Sequence, residues 1–363
     1  MRLESAGLGD VIELPAALPS LEGRVALRIV AVDDLAYRRR RCGKGFAYFD
    51  ERGRRIADKA TLDRVRKLAI PPAYAEVLIA ARPDHHIQAV GRDEAGRLQY
   101  LYHPAWEEVR EARKTTRLAT LCAALPLLRR RLARLLAAPG PSREKTLAAV
   151  IALIDRTHIR IGCDDYVHSG RSRGASTLLK RNVLVEGDRI SLDFVGKRRT
   201  PIQCSLRSSS LARALEELST LPGPRLFQYR TGDGTLRPVS AAEVNAFLRE
   251  LAQAEVTAKD FRTLAATAAA GERLSGVERG ASATARKRQV AEVIRAVAGL
   301  LANTPAIARK SYVHRALVGA FESGELARMA ERTHRVRQLS RGEALVASLF
   351  PLRPPTRRLA LAA

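Results

Sequence analysis

The chain has few cysteines, four in 363 residues, and none forms a Cys-x-x-Cys pair or lies near a histidine at finger spacing. Cys42, Cys122, Cys163 and Cys204 therefore read as reduced, structural thiols rather than a disulfide frame or a zinc module. Uninterrupted apolar runs of about 18 residues are missing, which leaves no candidate spanning helix. The opening residues carry no apolar core of a secretory signal, so the expected location is cytoplasmic. There is no Gly-x-x-x-x-Gly-Lys-Ser/Thr loop to cradle a nucleotide triphosphate. The acidic pairs Asp33-Asp34 and Asp164-Asp165 are isolated and read as turn or cap residues rather than as a magnesium site. His85-His86, in a Pro-Asp-His-His segment, reads as a loop rather than a metal site. No cofactor and no metal is expected.

Acidic residues are also scarce: 38 Asp and Glu stand against 63 Lys and Arg, a formal charge of +25. Such a surplus points to a polyanionic partner. Arg38 to Arg41 form one basic run, Arg39 and Arg40 among them, and Arg129 to Arg131 form another on a helix face. Each run is either a solvated face or a phosphate contact.

The pattern along the chain predicts an α+β protein of two domains. Residues 1–26 show little periodicity and are expected to be a poorly ordered leader. Residues 27–104 hold short runs of strand formers at 45–49, 76–80, 86–90 and 98–102 between Asp/Glu/Gly turns. They predict a small antiparallel sheet domain, with one helix over 59–69 ended by Pro71-Pro72. Residues 105–340 read as a mainly α-helical catalytic domain. Leucines recur at helical spacing through Leu118, Leu121, Leu125, Leu128, Leu132 and Leu135, and a second helix over 143–156 leads to Arg160. Strands over 183–186, 190–195 and 201–206 predict an inserted three-stranded sheet. Ser240-Ala-Ala-Glu243 is a capping box before a helix over 244–254, and helices are expected over 285–301 and 316–319. Residues 341–363, with prolines, arginines and alanines from Leu352 on, are expected to form a C-terminal tail.

Five polar residues have contexts suited to chemistry at a phosphodiester: Arg160, Lys197, Arg262, Asn303 and Tyr312. A phenolate at Tyr312 can attack phosphorus and keep the bond energy in a phosphotyrosyl link. Arg160 and Arg262 would favour that phenolate and bind the charge growing on the non-bridging oxygens, because a guanidinium stays protonated and contacts two oxygens at once. Lys197, in the turn between the second and third strands, would protonate the leaving 5′ oxygen. Asn303 can donate to a non-bridging oxygen but cannot move a proton. Taken singly, each has a plainer reading: a half-buried packing tyrosine, a solvated hairpin lysine, an asparagine that caps a helix.

In joint order these residues resemble the type IB DNA topoisomerases, particularly the small viral and bacterial members. The matching stretches are Arg160-Ile-Gly162, Gly174-Ala-Ser-Thr-Leu178, Phe194-Val-Gly-Lys197, Lys259-Asp-Phe-Arg-Thr263 and the Thr304-Pro305 to Tyr312 segment. Gly91-Arg-Asp and Gly96-Arg-Leu-Gln-Tyr-Leu-Tyr-His103 look like the family's DNA-touching strand, which would place Arg97, Gln99, Tyr100, Tyr102 and His103 against DNA. Tyr100 and Tyr102 fall on one face of that strand and Gln99 on the other; the two tyrosines are either a groove contact or an aromatic pair. Asn303 stands where many members carry histidine and bacterial members often carry asparagine, which implies a bacterial source. The family's second lysine, an additional proton donor, maps onto Lys259. The resemblance implies relaxation of positively and negatively supercoiled double-stranded DNA by a nucleoid-associated monomer through a 3′-phosphotyrosyl nick, without ATP or metal.

Two other readings compete. A tyrosine recombinase uses a similar Arg, Lys, Arg and Tyr set, but its second arginine lies in His-x-x-Arg, where this chain has Lys259, and its amino-terminal domain is helical. A non-enzymatic architectural DNA-binding protein accounts for the charge but not for the ordered five residues.

Overall fold

The structure, a computed structural model, describes residues 11–12, 27–164 and 172–351. The chain divides into two compact units, Met1–Arg113 and Lys114–Ala363, nine residues beyond the break expected at 104 and inside a long helix.

The first unit is a five-stranded antiparallel sheet in the order β4-β3-β5-β6-β7. Its strands are β3 (Tyr37–Cys42), β4 (Gly45–Phe49), β5 (Ala75–Ile79), β6 (Ile87–Arg92) and β7 (Leu98–Tyr102). Val11–Ile12 (β1) pairs with Leu27–Arg28 (β2); the rest of the expected leader lies outside the described residues. Helix α1 (Lys59–Lys67) starts where the Asp58 carboxylate accepts the Thr61 N–H at 2.7 Å, and it stops before the Pro-Pro pair as expected. Val65 on its inner face packs with Val77, Ile79 and Ala89 of the sheet.

His85 and His86 are more than a loop. His86 is fully buried, its Nδ1 accepts the Val30 N–H at 3.2 Å, and the Trp106 ring meets it edge-on at 4.6 Å. Burial, above all, pushes its pKa down from 6.5 to about 4. The folded-state value lies below the unfolded one, so the stability linked to His86 is complete above pH 6.5 and declines as pH falls towards 4. Between those limits the first unit should lose on the order of 3 kcal/mol. Trp106 is the single tryptophan, so urea titrations followed by its fluorescence at pH 7.5 and pH 4.5 measure that loss directly. Burial lowers the pKa of His85 and His103 as well, so the loss is the sum over the three histidines, and equal midpoints would show that none of them takes up its proton at a cost.

The second unit is built on two long helices. The leucine stripe of α2 (Trp106–Ala137) buries Leu118, Leu121, Leu125, Leu128 and Leu132 as expected, and then Leu136 rather than Leu135. Helix α3 (Arg143–Thr157), capped by Ser142, is buried from Lys145 through Asp155. Strands β8 (Val183–Glu186), β9 (Arg189–Val195) and β10 (Pro201–Arg207) form the expected antiparallel sheet with β9 in the centre. Further along lie α4 (Ser209–Ser219), a β11–β12 hairpin (Gln228–Arg230, Leu236–Pro238), α5 (Ala241–Ala252), α6 (Ala258–Ser275) and α7 (Ala283–Leu300). Helices α8 (Arg315–Ser323), α9 (Glu325–Arg332) and α10 (Arg341–Leu349) complete it. The Ser240–Glu243 capping box is made, with the Ser240 N–H donating to Glu243 Oε2 at 3.0 Å.

Two expectations need correction. The presumed tail, 341–363, begins instead with α10: Leu345 and Val346 are buried, and a second capping box, Ser340-Arg-Gly-Glu343, starts the helix. Arg129, in the run read as either a solvated face or a phosphate contact, lies instead between Asp155 of α3 and Glu343 of α10 with nitrogen–oxygen distances of 2.8 Å to each. It ties three helices together and is not displayed to a ligand. Arg131 likewise donates to the Leu251 carbonyl, which leaves Arg130 as the exposed member of the run.

Candidate active site

Arg160 follows the abrupt end of α3. His158 caps the helix in the left-handed conformation (φ 57°), and the chain leaves it as an irregular stretch in which Gly162 again takes a positive φ (92°). The segment Gly174–Thr177 clasps that stretch from behind: the Ala175 N–H donates to the Arg160 carbonyl at 2.8 Å and the Ser176 N–H to that of Ile161 at 2.7 Å. A Cβ at Gly174 would lie 2.4 Å from the Arg160 carbonyl oxygen and 2.5 Å from Gly162 N. Only glycine allows this approach, which is the physical content of the Gly174-Ala-Ser-Thr-Leu178 motif.

Lys197 opens a 3-10 turn, Lys197–Arg199, between β9 and β10. Gly196 N–H to Thr200 O closes the turn at 2.8 Å, and Arg198 and Arg199 both take positive φ. The lysine thereby projects from the rim of the sheet, and it lines a cavity of about 180 Å³ together with Arg160 and Arg262.

Arg262 lies on α6 and is 4 % exposed. One terminal nitrogen donates to the His158 carbonyl, the other to the Leu301 carbonyl at 2.8 Å, so this guanidinium joins the end of α3 to the end of α7. Asn303, just after α7, accepts from Arg160 Nη2 at 2.5 Å through Oδ1. Two donors remain buried without an acceptor, Arg262 Nε and Asn303 Nδ2. A donor so placed costs about 1–3 kcal/mol. An anion received beside them relieves that cost.

Tyr312 is delivered by an unusual backbone. Thr304 caps a turn of helix over Pro305–Ile307, which widens into a π-helical turn over Ala308–Tyr312, with Val313 N–H donating to Ala308 O at 2.9 Å. The ring is 9 % exposed, and the Arg262 guanidinium carbon lies 5.1 Å from its centroid. Burial acts to raise the phenol's pKa. The charge of Arg262 first, and then those of Arg160 and Lys259, outweigh burial and hold it below its ordinary value. Lys259 itself is exposed, on the first turn of α6.

The structure therefore brings Arg160, Arg262, Asn303 and Tyr312 into one cluster, places Lys197 on its cavity wall and leaves Lys259 within electrostatic reach. Sequence reasoning missed Thr267. Its fully buried hydroxyl donates to Thr263 O at 2.8 Å, accepts the His314 N–H at 3.2 Å and lies 3.2 Å from the Tyr312 carbonyl. It fixes the Tyr312 backbone to the helix that carries Arg262. The one available signal was a lone hydroxyl among the alanines that follow Arg262.

In the first unit, Leu98, Tyr100 and Tyr102 form the exposed face of β7, and the two tyrosine rings stack at 6.0 Å with 13° between planes. Arg97 and Gln99 both bond to Asp93, at 2.9 Å and 2.8 Å. His103 Nδ1 accepts the Ala105 N–H at 3.1 Å. Arg40 lies over the Phe49 ring at 4.8 Å. Arg39 lies over Phe46 and turns both terminal nitrogens to the carbonyls of Ile70, Pro71 and Tyr74. Those bonds hold β3 to the loop before β5.

The sequence matches known protein families. Residues 104–338 fit the model of the eukaryotic DNA topoisomerase I catalytic core, and residues 45–93 fit that of the bacterial DNA topoisomerase IB N-terminal domain. A protein of Acanthamoeba polyphaga mimivirus named DNA topoisomerase 1B is 28 % identical over 284 residues, covering 76 % of this chain and 84 % of the viral one. With the core model spanning well over half of its residues, the chain belongs to the type IB DNA topoisomerases.

Proposed function

We propose that this topoisomerase relaxes both positive and negative supercoils by cutting one strand of duplex DNA through a transient 3′-phosphotyrosyl link at Tyr312. The observation that carries this reading is the phenol held below its ordinary pKa by Arg262, beside two buried donors that lack an acceptor.

In the cleavage step Tyr312 Oη bonds to phosphorus and loses its proton to solvent. The bond from phosphorus to the 5′ oxygen breaks, and that oxygen takes a proton from the Lys197 ammonium. Arg160 and Arg262 hold the non-bridging oxygens as charge builds on them, and Asn303 Nδ2 donates to the same group. Lys259 adds positive charge near the phenol and, as the additional proton donor, can supply that same proton to the 5′ oxygen in place of Lys197. Rotation about the intact strand follows. In religation the 5′ hydroxyl attacks phosphorus, Lys197 takes back its proton and the tyrosine leaves. The free energy of the cut bond is kept in the phosphotyrosyl ester, so no nucleotide is consumed, and the cations supply the charge stabilisation that a metal would bring.

On the DNA-facing side, the exposed stack of Tyr100 and Tyr102 is the groove contact, Arg97, Gln99 and His103 are its neighbours along the chain, and Arg40 adds a separate contact from β3, three strands away in the sheet. Arg39 acts in that contact by fixing β3. A cytoplasmic monomer bound to the nucleoid suits this chemistry, which needs a single copy of each residue.

The test is relaxation of positively and negatively supercoiled plasmid in EDTA without nucleotide, with denaturant added to trap the adduct. Both substrates should relax and the trapped protein should sit on the 3′ end. A 5′ adduct, or strict dependence on ATP, would overturn the reading.

A further inference from the structure

The cavity that joins Arg160, Lys197 and Arg262 has a fourth cation in its wall, Arg173, and among the described residues no aspartate or glutamate lines it. One scissile phosphodiester carries a single negative charge, so the cavity holds more positive charge than that group can neutralise. Arg173 is placed rigidly. Its backbone N–H donates to the Val195 carbonyl at 2.8 Å, two residues before Lys197, and its Nη1 donates to the Thr177 carbonyl at 2.8 Å. It thus bridges the clasp behind Arg160 and the hairpin that carries Lys197.

Cations also crowd behind it. Burial first, then the charges of Arg225 and Arg181, push the Arg173 pKa down, and the Asp164 carboxylate opposes them. Asp164 is itself paired with Arg225, whose other terminal nitrogen is buried without an acceptor. Among the described residues three guanidiniums gather near one carboxylate, and an anion that joins them relieves their mutual repulsion. Arginine suits that anion when it is a phosphodiester, because its planar fork takes two oxygens.

We propose that Arg173, with Arg225 behind it, forms a second phosphate subsite that holds a phosphodiester of the leaving 5′ strand next to the cut. The side follows from the hairpin: Arg173 is bonded beside the lysine that protonates the leaving 5′ oxygen, and this placement rests on the function proposed above. The subsite grips the strand that must rotate. Each turn breaks the grip, and religation requires that it be restored. Arg173 therefore sets how long the cut strand stays free, acting as a positioning residue rather than as a participant in proton transfer.

The experiment uses the full chain and oligonucleotide duplexes in which one phosphate at a time, on either side of the cleavage site, is replaced by an uncharged methylphosphonate. Arg173→Gln should slow religation about tenfold, the weight of one charge-assisted contact, and raise the covalent fraction at equilibrium. One leaving-side methylphosphonate should slow the wild type equally and add nothing to the variant. Losses that multiply at every position, or coupling only to a phosphate on the covalently held side, would overturn the subsite. Unaltered religation by a folded Arg173→Gln would do the same. If the variant does not fold, the wild-type series still decides: no leaving-side position that slows religation means no subsite. A wild type that forms no covalent adduct on unmodified DNA refutes the enzymatic reading instead, so the two failures are distinguishable.

Discussion

Replacing Tyr312 with phenylalanine is expected to abolish DNA cleavage and leave DNA affinity nearly intact. The substitution removes one oxygen and keeps the ring that packs beneath Arg262, with its guanidinium carbon 5.1 Å from the ring centroid. Val313, Leu317 and Ala308, packed in the same cluster, keep their neighbour. Loss of a covalent nucleophile lowers the rate by about 10⁴-fold or more in enzymes of this logic, because the cations that remain have no attacking group to assist. Phosphate contacts do not depend on the hydroxyl, so binding should change by no more than about threefold, under 1 kcal/mol. Single-turnover cleavage of a labelled duplex, alongside a binding titration at fixed salt, separates the two quantities. Cleavage within tenfold of wild type would remove Tyr312 from the nucleophile's role. A parallel fall in affinity and melting temperature would mean that the hydroxyl also stabilises the fold, against the mostly apolar surroundings of the ring.

How much of this was legible beforehand depended on the range of the interaction. Elements governed by local pattern were readable: the leucine stripe of α2, the Ser240 capping box, and the turn that presents Lys197. The five site residues could be listed because each carries its own short context, such as the glycine before Lys197 or the Thr-Pro before the helical turn that ends in Tyr312. What could not be read was which polar groups the fold uses internally. Arg39 and Arg129 look like their neighbours in the sequence, yet one meets three backbone carbonyls and the other two carboxylates on distant helices. Thr267 is a single hydroxyl whose partners, Tyr312 and His314, lie more than 40 residues away. Helix α10 had a readable cap at Ser340, but the proline and arginine content of the last residues masked it. His86 shows the same limit, since burial against Trp106 and Val30 comes from residues distant in the chain and not from the Pro-Asp-His-His text.

Lys197→Ala should show the second large effect, and its chemistry makes the role separable from mere charge. If the ammonium protonates the leaving 5′ oxygen, its loss should slow cleavage of ordinary DNA by about 10²- to 10⁴-fold, the usual worth of a placed general acid. An alkoxide leaves badly from phosphorus, whereas a thiolate leaves well without a proton. A substrate with sulfur in the 5′ bridging position should therefore be cut by Lys197→Ala at close to the wild-type rate. The backbone supports so specific a function: Arg198 and Arg199 adopt left-handed conformations and Gly196 closes on Thr200, so the lysine is held on the cavity wall rather than left on a free loop. A defect of equal size with oxygen and sulfur would mean that Lys197 only attracts the phosphate. The proton would then have to come from Lys259, and Lys259→Ala should in that case show the sulfur rescue that Lys197→Ala lacks. Rescue in Lys197→Ala alone assigns the proton to the hairpin, and the exposed lysine on α6 keeps the part its position allows, a positive charge near the phenol.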